Sequence, residues 1–135
     1  CSNFLEHVYE DEALSIINGF YKKLKPGGTL HILLPDLDFF IRQYNQISNS
    51  SNPEIAADSI NFHTLLTSKY KPTIKFRMLE FIGSYGLKHY RMYDKNSANF
   101  LVKKCGFIEM DNPKNCKSYN YGLHNGDLHL FYVKN

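Results

Sequence analysis

The 135 residues suffice for one domain with a buried core. A formal net charge of +3 is too small to argue for nucleic acid by itself, and no run approaches the roughly 20 apolar residues of a membrane span. Ten Tyr and ten Phe with no Trp make an aromatic-rich core, and three scattered cysteines (Cys1, Cys105, Cys116) without a C-x-x-C pair point to reduced thiols and a cytoplasmic setting.

The chain opens at Cys1 on what reads as the end of a strand, so a partial domain is expected. Tyr9 to Lys25 then reads as a helix. Ala13, Ile17, Phe20 and Leu24 share one face with Leu14 and Tyr21, and acidic residues at the start with lysines at the end suit the helix dipole. Pro26 and Gly27 stop it, one by lacking an amide hydrogen and the other by tolerating a left-handed backbone. Thr29 to Leu34 is an almost unbroken apolar run, as in a strand covered on both faces. Pro35 and Asp36 follow at its carboxyl end, where open α/β sheets place their ligands.

Asp36 can cap a second helix carrying Leu37, Phe40, Ile41 and Tyr44 at helical spacing, which ends in the polar run 48–52. Asn52-Pro53 restarts a helix, and 54–68 and 73–83 read as amphipathic helices ended by Gly83 and Gly86. Asp94 caps another helix through Cys105, with Ala98, Leu101, Val102 and Cys105 inward and Gly106 as terminator. Phe107 to Met110 is a short strand, 112–126 is irregular with an Asn125-Gly126 turn, and Asp127 to Lys134 is a final strand without clean alternation. Two consecutive strands with no helix between them predict that one runs antiparallel.

Three segments carry a family resemblance. Asn3-Phe4-Leu5-Glu6-His7-Val8 is similar to the H-x-L-E-H-V segment after the fourth strand of small bacterial class I S-adenosylmethionine-dependent methyltransferases of the type 11 kind. Leu24-Lys25-Pro26-Gly27-Gly28-Thr29-Leu30, followed by Pro35-Asp36-Leu37, resembles their L-K-P-G-G-x-L turn and the P-D-L after the fifth strand. His89-Tyr90-Arg91-Met92-Tyr93-Asp94, a helix and Cys105-Gly106-Phe107 resemble the H-x-x-x-Y-D and A-G-F stretch leading into the sixth.

The resemblance implies an α/β fold: the C-terminal part of a three-layer, Rossmann-like methyltransferase domain. It would hold the end of strand 4 and strands 5, 6 and 7 with flanking helices, in a sheet ordered 3-2-1-4-5-7-6 with strand 7 antiparallel. Residues 1–135 would be a partial domain with a helical insertion at about 47–92. The family's glycine-rich cofactor loop has no counterpart, since no G-x-G occurs.

By the same resemblance, the cofactor S-adenosylmethionine would pass Cys1, Ser2, Asn3, Leu5, Glu6 and His7, with Asn3 standing where the family often has His. The acceptor would face Pro35, Asp36, Tyr90, Arg91 and Tyr93. An oxygen or nitrogen acceptor needs a base; His89 is the first candidate and His7 the second. The competing readings are structural: Leu5 and Val8 as core, Asp36 as a helix cap, His89 as the organiser of a loop. Lys69, Lys71, Lys75, Arg77, Lys88 and Arg91 could favour an acidic acceptor, although such runs more often make a solvated face. His124, Asp127 and His129 match no zinc spacing, and no metal is expected. The implied function is methyl transfer to an unidentified small-molecule, glycan or metabolite acceptor. The alternative is a non-catalytic methyltransferase-like binding or scaffold domain. Neither membrane nor nucleic acid is expected as a partner. Self-association through an exposed sheet edge is.

Overall fold

The computed structural model describes residues 1–50, 53–57, 60, 74, 78, 89–111 and 126–135. The elements are α1 (Glu10–Lys23), β1 (Thr29–Pro35), α2 (Leu37–Ser48), α3 (Lys95–Lys104), β2 (Phe107–Met110) and β3 (Asp127–Lys134), with short 3-10 turns at Leu5–His7 and Pro53–Ile55. Most of the expected helices at 54–68 and 73–83, with Gly83 and Gly86, lie outside the described residues. So do the 112–125 segment, Cys116, His124 and every member of the basic run except Arg91.

The fold is α/β around a three-stranded antiparallel sheet ordered β1-β3-β2. β3 lies between the other two strands and runs antiparallel to both. An antiparallel strand is therefore found at the end of the chain, as the two consecutive strands predict. Among the described residues, the other edge of β1 meets only short segments: Ser2 bridges Leu33 and Tyr93 bridges Asp36, both in parallel sense.

The register explains why β3 lacks a clean polar alternation. Leu30, Ile32 and Leu34 stand opposite Tyr132, Leu130 and Leu128, and these side chains lie in or against the main core. On the alternate positions His31 stands opposite Phe131, and Leu33 opposite His129. The His31 ring stacks on Phe131 at a centroid distance of 4.2 Å, and Leu33 and Phe131 are buried. Both faces are therefore covered, as a central strand requires.

α1 and α3 close the core face. Ala13 and Ile17 are fully buried beside Ala98, Leu101 and Val102, and Tyr21 meets Phe107 edge-on at 5.0 Å. α1 ends one residue before Leu24, whose amide still donates to the Phe20 carbonyl. Gly27 has φ +77°, and Gly28 admits no side chain, because a Cβ would lie 2.8 Å from the Lys25 carbonyl oxygen. The α1 carboxyl end is capped from the sheet: Lys134 Nζ donates to the Tyr21 and Leu24 carbonyls at 2.7 and 2.9 Å.

Asp36 caps α2 through a bond from the Asp38 amide, and Asp94 caps α3 through a reciprocal pair with Ser97. Of the apolar residues at helical spacing on α2, Phe40 is buried, whereas Ile41 and Tyr44 are exposed. Among the described residues α2 packs chiefly against the 53–55 turn rather than the sheet core, so helical spacing alone did not fix its buried face.

Candidate functional site

Three backbone segments converge at the carboxyl end of β1. The first is residues 1–8. The Leu33 amide donates to the Cys1 carbonyl at 2.8 Å and the Asn3 amide donates to the Leu33 carbonyl at 2.9 Å, so 1–3 lies as a strand end along β1. Asn3 then turns at φ +46°, a left-handed conformation that Asn tolerates better than most side chains. The chain enters the Leu5–His7 turn from there.

The second segment, 89–93, takes up the same edge where 1–3 leaves it. The Tyr90 and Arg91 amides donate to the Glu6 carbonyl, and the Leu37 amide donates to the Tyr93 carbonyl at 2.8 Å. The third is the start of β3: the Asp36 amide donates to the Gly126 carbonyl at 2.8 Å, and Pro35 stands opposite Asp127. Side chains secure the junction to the start of α1. Arg91 pairs with Glu10, and the Tyr90 ring lies against Tyr9 at 4.7 Å.

These segments bring Glu6, His7, His89 and Tyr93 together. Glu6 is 1% exposed, and neither of its carboxylate oxygens has a well-formed hydrogen bond from another described residue. His7 Nε2 is 3.8 Å from Glu6 Oε1, and the His7 and His89 rings meet edge-on at 4.7 Å. His89 Nδ1 and the Tyr93 hydroxyl are likewise buried without a hydrogen-bond partner among the described residues. Buried polar groups are normally paired, and each one left unpaired costs about 1–3 kcal/mol. Among the described residues four of the five such atoms gather here, the fifth being Gln43 Oε1 on α2, and such a cluster calls for an explanation.

The electrostatics agree with that geometry. Burial pushes the Glu6 carboxyl up, and Asp127 adds to the rise; its own backbone and His7 oppose it. Burial, with His7 second, drives the His89 imidazole down to about 4. Burial also raises the Tyr93 phenol, Arg91 opposing and Glu6 reinforcing the rise. Titratable groups so displaced and so close are a frequent signature of functional sites.

The expected site residues divide in position. Ser2 and Asn3 lie alongside Leu33 of β1 with exposed side chains, and Cys1 is half-buried with its carbonyl committed to Leu33. Leu5 is a core side chain, so only its backbone remains to face a ligand. Glu6 and His7 turn toward His89. Pro35, Asp36, Tyr90, Arg91 and Tyr93 do gather at one strand end, and His89 and His7 touch. His129 lies elsewhere: its Nδ1 is 3.3 Å from His31 Nε2 on the other face of the sheet. The closeness of Glu6 to His89 and Tyr93 has no local sequence signal, because a backbone contact between distant segments creates it. Comparison with family models, curated proteins and solved structures finds no match for this chain.

Proposed function

We propose that this chain is the acceptor-side part of a class I S-adenosylmethionine-dependent methyltransferase domain. The observation that carries the reading is the strand arrangement: a parallel strand end at 1–3, then β1, then an antiparallel β3 between β1 and β2. It supports the 4-5-7-6 order that the sequence resemblance implies, with the converging segments at the carboxyl end of β1, where α/β sheets bind ligands.

S-adenosylmethionine, when bound, supplies an electrophilic methyl group on a sulfonium sulfur. The exposed Ser2 and Asn3 at the strand end fit the role of holding its polar methionine end. Pro35, Tyr90 and Tyr93 would orient the acceptor, and alignment of the reacting atoms can supply much of the rate. His89 alone is a weak base, held at about 4. The acceptor proton would therefore pass into the Glu6–His7–His89 group as a whole, in which burial raises the Glu6 carboxyl.

The reading is tested by product analysis. The full natural chain, incubated with S-adenosylmethionine and a pool of small metabolites, is expected to form S-adenosylhomocysteine and one methylated product. His89→Gln should slow this at least about tenfold, in keeping with the usual contribution of acid–base groups. A chain that forms no product with any fraction of the pool would favour a non-catalytic binding domain.

A further inference from the structure

We propose that Glu6, His7 and His89 form a binding site for a divalent transition cation of the zinc or cobalt type. One ligand atom from each of the three lies within 4.8 Å of the others. Two of the three side chains are more than nine-tenths buried, and their donor atoms have no well-formed hydrogen bond with another described residue: both Glu6 oxygens and His89 Nδ1. A buried carboxylate without hydrogen bonds is expensive, and a bound cation is one of the few partners that offsets the cost.

The donor set selects the ion. Two imidazoles and one carboxylate suit zinc, cobalt, iron or nickel, whereas magnesium and calcium prefer oxygen throughout. Three protein ligands with open positions is the arrangement of catalytic rather than structural zinc. Bonds of about 2.0–2.2 Å place neighbouring donors roughly 3–3.5 Å apart. The 3.8 Å between His7 Nε2 and Glu6 Oε1 is near that spacing, and the donor atoms, now within 4.8 Å of one another, would draw together around the ion. The backbone bonds from Tyr90 and Arg91 to the Glu6 carbonyl hold the two halves of the donor set in register. The site uses the same three side chains as the proton-accepting group of the proposed methyl transfer, but its test reads metal binding and not methyl transfer.

The sequence gives no zinc-like spacing here, since Glu6 and His7 are adjacent and His89 is remote. Among the described residues, the competing histidine pair is His31 and His129, on the other face of the sheet. Titration of Co2+ into the 135-residue chain, followed by visible absorption, separates the two. The expected result is a one-to-one visible band without the near-ultraviolet band of thiolate ligation. Glu6→Gln and His89→Gln should each weaken binding at least tenfold, and His129→Gln should leave it unchanged. Glu6→Gln should melt no lower than the parent without metal, because it removes a buried charge. A readout on the unaltered chain guards against misfolded variants: bound diamagnetic Zn2+ should displace the ring proton resonances of His7 and His89 and spare those of His31 and His129. Absence of a stoichiometric band, a thiolate band, loss of binding in His129→Gln, or displaced His31 and His129 resonances would each overturn the assignment.

Discussion

Replacing Ile32 by Ala is expected to lower the unfolding free energy by about 3–4 kcal/mol, within the range for large-to-small changes at tightly packed sites. Ile32 has no exposed surface and stands at the middle of β1 opposite Leu130, with Leu30 and Leu34 on the same face. Neighbours in a close-packed interior relax only partly into the space that remains, so a cavity cost adds to the lost transfer energy. Ile41→Ala provides the contrast. That side chain is 46% exposed on α2, and its truncation should cost less than about 1 kcal/mol. Urea unfolding of both variants checks the pair. Equal losses at the two positions would mean that α2 is seated on the core through the face that Ile41 occupies.

The second large effect is expected at Asn99, where Ala should cost about 2–3 kcal/mol through the orphaning of a buried hydroxyl. The Tyr132 hydroxyl has no exposure and donates to Asn99 Oδ1 at 2.7 Å, while Asn99 Nδ2 donates to Glu109 Oε2 at 3.0 Å. Removing Asn99 strips the hydroxyl of its acceptor. Tyr132→Phe made in the Asn99→Ala background should therefore be neutral or stabilising, although in the parent it costs about 1 kcal/mol. A double-mutant cycle measures the difference, and simple additivity would show that the two groups are not coupled.

The same network carries a pH dependence. Hydrogen bonds from Lys103 first, then from Lys95 and Asn99, hold the Glu109 carboxyl down to about 2. A carboxyl lower in the folded than in the unfolded state binds fewer protons when folded. Its contribution is complete above the unfolded value near 4.5 and is lost as pH falls toward about 2. The lysine partners are half exposed or more, so solvent screening reduces the contribution to about 1 kcal/mol. Glu109→Gln should remove that part of the acid sensitivity.

Local chemistry made much of the fold legible. Proline, glycine and Asx caps punctuate α1, α2 and α3, and their ends fall within a residue or two of the expected positions. The β2 and β3 bounds are as expected, β1 extends one residue further to Pro35, and β3 is antiparallel. Exposure on α2 was not legible, because periodicity identifies an apolar face but not what covers it. Asn99 has no sequence signal that singles it out; its bond to Tyr132 comes from a distant strand. The site was half legible. Glu6, His7, His89 and Tyr93 could each be named from the sequence, but their proximity depends on the Glu6 carbonyl meeting the Tyr90 and Arg91 amides, and no spacing rule encodes that contact.

The most direct test of the methyl-transfer reading is calorimetric titration of S-adenosylhomocysteine into two proteins side by side: this chain, and the same chain preceded by an added segment supplying a glycine-rich loop and strands 1 to 3. The account predicts no measurable binding to the shorter protein and micromolar binding to the longer. Tight binding to these 135 residues alone would contradict the division of the site into two walls. Absence of binding in both would contradict methyl transfer itself and leave a non-catalytic domain.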